Sequence, residues 1–452
     1  MDKRFPLEDQ IAMLGSALKG RLVMPGAPDY DALRQVVPAN YDRRPAALIR
    51  VADAADVAMT LDFARATDLP LAIRSGGHSA HSSTEGGLVI DLRDLDGIDI
   101  DPVARTVWAG TGLTAGELTK ALTPHGLVIG FGDTASVGIG GITLGGGIGY
   151  MLRKHGLTID NVLAAEVVTA DGRILIADEL NHPDLFWALR GGGGNFGVVT
   201  RWKYRLQPLP EFTGGPLVLP ATPEVVAKFV ELAAAAPDEL TAIASVMPAL
   251  PLPFIPEAMH GQIVFFAMMA YAGPDAAAQE ALRPFRELAT PIADLVGPMP
   301  YPGMYNELEQ RMAFSVRSRL LSGFGREAAA TVIEHIRASD APMRLGEIRV
   351  LGGAFARVAP EATAFAHRDA KVMVSFIAAS ENASSAKRHD VWATEAVAAL
   401  PAEADRVYVN FLTSDPEERK AAAYPPAAWA RLLAVKRQYD PENLFRLNQN
   451  VR

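Results

Sequence analysis

The sequence predicts an α+β protein, in which two successive α/β units precede an antiparallel sheet covered by helices. Three observations carry the prediction. The chain has 452 residues, more than the roughly 250 to 300 at which one core stops growing, so two domains are expected. Strand-like and helical runs alternate, with frequent glycine turns, up to Pro208-Leu209-Pro210. After that point glycine-rich turns become sparse and longer helical stretches alternate with strand-like runs. With 49% apolar and 21% charged residues, the chain has the composition of a protein that buries a large core.

Residues 1–42 read as an N-terminal helical lead-in, ahead of a domain spanning 43–210. Within it AALIRV is a short strand, Asp53 to Thr67 has helical periodicity and LPLAIRS is a second strand. GGLVIDLRDL, RTVWAG, a helix from Thr114 to His125 and the run GLVIGFG continue the alternation. In the second unit VLAAEVVTADGRILIAD reads as two strands joined at Asp171-Gly172, HPDLFWALRG as a helix and NFGVVTRWKYRLQPL as a long strand. Residues 211–405 read as the second domain, with helices at EVVAKFVELAAAA and GREAAATVIEHIRAS and strands at HGQIVFFAMMAYAG, IRVLGGAF and KVMVSFIAAS. Two or three helices on an antiparallel sheet is the simplest arrangement. The segment 406–452 returns with a strand at RVYVNFL, a helix at WARLLAVKRQY and an extended tail after Asp440-Pro441.

Several function classes are disfavoured. The net charge of -9, without any basic block, argues against nucleic acid as a partner. No apolar run approaches the ~18 residues that a membrane span needs, and the N-terminus lacks a signal-peptide core, so a cytoplasmic location is expected. There is no cysteine, which removes disulfides, thiolate metal sites and cysteine nucleophiles. The nine histidines show no metal-ligand spacing, and no metal is expected.

Two glycine loops are the candidates for chemistry. The first, Arg74-Ser75-Gly76-Gly77-His78-Ser79, follows a strand directly, where bare glycines let backbone N–H groups approach anionic oxygens. The second runs from Ser136-Val137-Gly138-Ile139-Gly140-Gly141 to Leu144-Gly145-Gly146-Gly147-Ile148-Gly149. Its glycine density would weaken an ordinary helix or strand by about 0.5 to 1 kcal/mol per residue, and a diphosphate lying on bare backbone is the usual compensation. Singly, each loop reads equally well as a tight turn, and Gly110-Thr111-Gly112 reads as a plain strand-to-helix turn.

The succession IRSGGHS, SVGIGGITLGGGIG, HGLTIDNVLAAEVVTADGRI, HPDLFWALRGGGGNFGVVT and YDPENLFRLNQN resembles the berberine-bridge-enzyme-like branch of the FAD-linked oxidases, with an FAD-binding domain of PCMH type, in the vanillyl-alcohol-oxidase superfamily. The likeness is close over 43–210 and from about 406 onward, and holds in outline between. It implies one FAD between the two α/β subdomains, under a sheet from the substrate domain, and a covalent bond from His78 to the flavin methyl carbon. Relatives that carry a second, cysteinyl link have it where this chain has Thr134, so the sequence is similar to the singly linked members. Val137 stands where the family places a residue governing oxygen access, and valine there implies an oxidase that makes hydrogen peroxide from O2.

By the same resemblance Ser75, Gly76, Gly77, Ser79, Gly138, Gly140, Gly141, Gly145, Gly147, Gly149, Asp160, Asn195, Gly197, Val198, Asn448 and Asn450 touch the FAD or close its site. Arg74 joins them, with a core ion pair as its alternative. Sugar-oxidising relatives carry tyrosines where Ile148 and Phe411 stand here. Tyr408 and Asn410, the catalytic residues that the resemblance implies, are expected on a strand facing the flavin. A pocket without a strong base suits hydride loss from a carbon beside nitrogen, so an amine or nonsugar alcohol is favoured as the small-molecule substrate. Met247, Phe266, Met268, Tyr271, Met373 and Phe376 are candidate lining residues with core as the alternative, and Glu347, Arg349, His367 and Asp369 are weaker candidates for binding. A flavin dehydrogenase using another acceptor and a noncatalytic FAD-binding protein are the competing readings, and a homodimer is left open.

Overall fold

The computed structural model describes residues 5–306, 311–381, 383–401, 405–412, 419 and 421–452. Its fifteen longer strands form three sheets. The first holds β1 (Arg21–Val23), β2 (Ala47–Arg50), β3 (Leu71–Arg74) and β4 (Leu88–Asp91) in the order β1-β2-β4-β3. β2 and β3 both run parallel to β4, whereas β1 is antiparallel to β2. The central strands are apolar without alternation, with Leu48, Ile49, Val89 and Ile90 all buried, as parallel strands covered on both faces require. The crossover helix Ala54–Thr67 starts where the Asp53 carboxylate accepts the N–H groups of Ala55 and Asp56, and stops at Asp68 in the left-handed conformation. The lead-in is not purely helical, since after the helix Leu7–Ala17 it supplies the edge strand β1.

The second sheet contains β5 (Ile98–Asp101), β6 (Thr106–Gly110), β7 (Val162–Val168), β8 (Ile174–Asp178) and β9 (Val198–Arg205) in the order β5-β6-β9-β7-β8. Every pairing in it is antiparallel. The Asp171-Gly172 signal makes the β7–β8 hairpin as expected, with Gly172 at φ +82.

The third sheet is antiparallel throughout, with β10 (Phe212–Pro220), β11 (Leu240–Pro248), β12 (Ile263–Ala272), β13 (Ala313–Leu321), β14 (Met343–Val350) and β15 (Val372–Ser380) in the order β10-β12-β11-β14-β15-β13. β10, β11 and β13 add to the strands expected from sequence. Helices Pro223–Ala235, Asp275–Arg286, Arg326–Ala338 and Ala386–Ala398 accompany it, and its helix-covered face buries Val246, Phe265, Ile348, Val374 and Phe376. Side chains alternate along a strand, so Glu347, Arg349, Met373 and Ser375 point the other way, toward the first two sheets.

The C-terminal segment departs from expectation at one point. RVYVNFL is not a strand: residues Val409–Phe411 form a turn of 3-10 helix, and the Phe411 N–H returns to the Tyr408 carbonyl at 3.0 Å. The helix Pro426–Tyr439 follows as expected. Its buried Lys436 donates to Asp440, to the Asn195 carbonyl and to the Phe445 carbonyl at 2.6, 3.0 and 3.0 Å. Those bonds tie the tail to the turn that enters β9.

Candidate active site

The two glycine loops meet backbone to backbone. A Cβ on Gly76 would lie 2.3 Å from the Gly138 nitrogen, and one on Gly138 would lie 2.1 Å from the Gly76 nitrogen. Ser75 Oγ donates to the Thr111 carbonyl at 2.6 Å, and Gly140 fits between Ser75 and Thr111 with contacts at 3.1 Å. Gly77 takes φ +75, which turns the chain back, and Ser79 Oγ caps the next turn through the His81 N–H. Half-buried His78 places Nε2 3.1 Å from Ser136 Oγ. Burial moves its pKa below the ordinary value, outweighing the Ser136 hydrogen bond, so the imidazole is neutral at pH 7.

Arg74 is turned away from the loops. It is buried and donates to the carbonyls of Leu33, Arg34 and Ser82. Burial lowers its pKa to about 10, and among the described residues no carboxylate forms an ion pair with it, so the core ion pair is not formed. It braces the loop from behind.

The second loop becomes a helix where its glycine content argued against one: Ile139–Gly145 is helical. Close packing explains several of its glycines. A Cβ on Gly145 would meet Asn410 Oδ1 at 2.0 Å, one on Gly147 would meet Thr158 Oγ1 at 2.0 Å, and one on Gly149 would meet the Phe131 carbonyl at 1.7 Å. Thr134 lies in a short bridge to Asn306, and the Val137 carbonyl accepts the Ala115 N–H at 2.8 Å. Gly141 differs from these, being exposed with nothing within 4 Å of a Cβ.

At the end of this loop the Tyr408 hydroxyl oxygen accepts the Gly147 N–H and Asn410 Nδ2, each at 2.8 Å. Asn410 Nδ2 also donates to the Ile142 carbonyl. Tyr408 and Asn410 therefore face the loop together, but from a helical turn rather than a strand. Burial moves the phenol pKa up, while the two donated hydrogen bonds work against that. Ile148, Met373, Tyr408 and Phe411 pack in one cluster.

Beside that cluster is the strongest electrostatic feature of the site. Arg349 donates from Nε to Glu347 Oε1 at 2.7 Å, from Nη2 to Asp133 Oδ2 at 2.6 Å and from Nη1 to the Ile148 carbonyl at 3.1 Å. The Phe411 ring centroid lies 5.7 Å from the guanidinium carbon. Burial opposes the Arg349 charge, but Asp133 and Glu347 outweigh it and raise its pKa. Burial also raises the Glu347 pKa, with Arg349 acting against it. Sequence reasoning named Glu347 and Arg349 only weakly and did not name Asp133 at all. The signal available was Gly132-Asp133-Thr134 leading into the second loop.

Other candidates separate. Asp369 pairs with Arg406 and His367 bonds the Ala422 carbonyl, so neither joins Glu347. Met247, Phe266 and Met268 lie half-buried on the face shared with Glu347, whereas Tyr271 and Phe376 lie under the helices. Asp160 is bound by Arg368 at 2.7 and 2.8 Å, joining the loop after the glycines to the segment before β15. Asn195 is fully buried, donating to the Gly192 and Gln449 carbonyls and accepting the Val451 N–H. Gly197 lies against Val167 and Val168, and Val198 is buried in β9.

The residues fit a large polar cofactor. The open position at Gly141, an almost open Gly194 with only Asn448 Nδ2 at 4.0 Å, and the buried Oδ1 atoms of Asn448 and Asn450 that lack a hydrogen-bond partner all call for an outside group. A cleft of about 240 Å³ lined by Arg43, His81, Thr84, Glu85 and Asn448 flanks the first loop.

Such a loop pair, set between two sheets and roofed by a third, defines an FAD-binding oxidoreductase. Residues 45–178 match the FAD binding domain family and residues 407–452 the berberine and berberine-like family. YgaK of Bacillus subtilis (strain 168), described as an uncharacterized FAD-linked oxidoreductase, is 30% identical over 96% of this chain and 97% of its own. The (R)-6-hydroxynicotine oxidase of Paenarthrobacter nicotinovorans is 28% identical over 96% and 97%. The crystal structure of 6-hydroxy-D-nicotine oxidase from Arthrobacter nicotinovorans matches with a TM-score of 0.86 and 27% identity, covering 96% of this chain and 98% of that one. Berberine bridge enzyme from Eschscholzia californica shares the fold, with a TM-score of 0.83 at 21% identity over 98% of each chain. The chain belongs to the berberine-bridge-enzyme-like family of FAD-dependent oxidoreductases. Among the described residues no helix is long and apolar enough to cross a membrane.

Proposed function

We propose that this enzyme is an oxidase of small amines or nonsugar alcohols, with its FAD tethered once, through His78. The observation that carries the reading is the buried carboxylate of Glu347, fixed by Arg349 beside an apolar cluster of Ile148, Met373 and Phe411. FAD, when bound, supplies the two-electron acceptor, and O2 is the oxidant that returns it, giving hydrogen peroxide. Glu347 takes the proton that the substrate nitrogen or hydroxyl gives up as its carbon is oxidised. Arg349 works against the burial that raises the Glu347 pKa, and Ile148 and Phe411 exclude water and add no competing proton donor. Asn448, Asn450 and the loop backbones from Ser75 to Ser79 and Gly138 to Gly141 hold the cofactor's polar portion, and Tyr408 with Asn410 fixes the loop end.

Three facts support this reading: a neutral imidazole at His78 has a nucleophilic nitrogen for a flavin link, the chain has no cysteine for another, and one relative of nearly full length is named an oxidase of (R)-6-hydroxynicotine. Val137, half-buried at the loop start, is the residue assigned to oxygen access. The test is an anaerobic bleaching screen of cyclic amines and hydroxylated aromatics, followed by readmission of air with a peroxide assay. Bleaching and stoichiometric peroxide are expected. Bleaching with little peroxide would replace oxidase by dehydrogenase, and no bleaching with any amine or alcohol would overturn the substrate class.

A further inference from the structure

The face of the third sheet that looks toward the first two sheets carries a polar row that the reaction above leaves unexplained. The register pairs Ser245 with Glu347, Glu347 with Ser375 and Ser375 with Ser318, so four polar side chains lie side by side across β11, β14, β15 and β13. Apolar side chains bound the row. Met373 stands on the side of the glycine loop, and Leu345, Ile377 and Val316 pair across the other side.

Within this row Ser375 is singular. Its residue is fully buried, and its Oγ has no hydrogen-bond partner. Neighbouring Glu347 has both oxygens engaged by Arg349. A hydroxyl buried without a partner is destabilising, and its replacement by a methyl group of similar shape is neutral or better. A hydroxyl held at such a cost, one strand from the carboxylate and between Met373 and Ile377 on its own face of β15, has a use that the folded chain alone does not supply.

Resting on the oxidase reading, the geometry points to Ser375 as a specificity-determining residue that hydrogen-bonds the substrate's polar group while Glu347 receives its proton. The substrate class that fits is a compact apolar ring carrying one hydroxyl or amino group on or next to the oxidised carbon. Ser245, half-buried on the far side of Glu347, reaches a second polar substituent where one is present.

The test uses the FAD-loaded enzyme and two probes of matched shape, benzyl alcohol and ethylbenzene, with dissociation constants read from perturbation of the flavin absorbance. Wild type is expected to prefer benzyl alcohol, and Ser375→Ala to reduce that preference about threefold to tenfold. The same variant is expected to melt at the wild-type temperature or higher, because it removes an unpaired group. A melting temperature several degrees lower would show the hydroxyl to be structural and overturn the assignment. So would an unchanged preference in the variant, or a wild type that does not distinguish the probes. A protein that takes up no FAD at all fails in a different way, since it sinks the oxidase reading before Ser375 is reached.

Discussion

The cofactor side and the substrate side of this enzyme are built on opposite principles. Around the glycine loops the working surface is backbone, and side chains are excluded: Gly76 against Gly138, Gly145 against Asn410 and Gly149 against Phe131 each leave no room for a Cβ. Across the third sheet the working surface is side chain, and strand register decides which ones meet, bringing Glu347, Arg349 and Ser375 from two neighbouring strands opposite Asp133 from a loop. A surface made of backbone writes itself into the sequence as glycine. A surface made by register leaves no local trace, because each of its residues is ordinary at its own position.

The comparison can be broken from either side. The largest effect is expected at Arg349, whose loss leaves buried Glu347 and half-buried Asp133 as two carboxylates without their cation. Arg349→Met should cost about 3–5 kcal/mol in urea unfolding. In enzyme that still folds, the acid limb of kcat/KM should move to higher pH. The sign follows from Glu347: burial already raises its pKa, removing Arg349 raises it further, and the carboxyl accepts no proton below that pKa. A limb that stays in place would separate Glu347 from the reaction.

Next in size, Glu347→Gln should lower kcat by about a hundredfold to ten-thousandfold while the protein still takes up FAD, measured by bleaching rate and absorbance. Gly76→Ala should cost about 1–3 kcal/mol through overpacking against the Gly138 backbone, read by thermal or urea melts. The smallest and sharpest contrast is Gly141→Ala. With open space around it and a helical backbone, alanine should stabilise the FAD-free protein by up to about 1 kcal/mol yet weaken FAD uptake. Gain of stability with unchanged FAD affinity would place the cofactor elsewhere.

What was legible in the sequence follows the same division. The three parallel strands of the first sheet, the Asp171-Gly172 hairpin and both glycine loops are legible, because turns, parallel strands and close backbone approach each restrict residue type, whereas the short edge strand β1 lies in a segment that reads as helical. The helix Ile139–Gly145 was misread because glycine propensity opposes a helix that tertiary contacts with Ser75, Thr111 and Asn410 impose. The segment around Tyr408, RVYVNFL, reads as a strand in the sequence. Hydrogen bonds from Gly147 and Asn410 to the Tyr408 hydroxyl curl it instead. Arg74 and Asp160, expected to touch the FAD or close its site, brace the chain through the Ser82 and Arg34 carbonyls and through Arg368. Met373 and Phe376 were equal candidates by type, and only the parity of β15 sends one toward Tyr408 and the other under the helices. Asp133 and Ser375 are not legible in the sequence, since their places beside Arg349 and Glu347 exist only once the sheets are assembled.

In the proposed enzyme the paired backbone loops hold FAD with the imidazole of His78 bonded to it. Acid precipitation of the purified protein, followed by absorbance of pellet and supernatant near 450 nm, tests it most directly. Yellow colour confined to the wild-type pellet, and released to the supernatant by His78→Ala, is the predicted result. Colour in the wild-type supernatant would contradict the bond, and a protein that remains colourless with excess FAD would contradict the site itself.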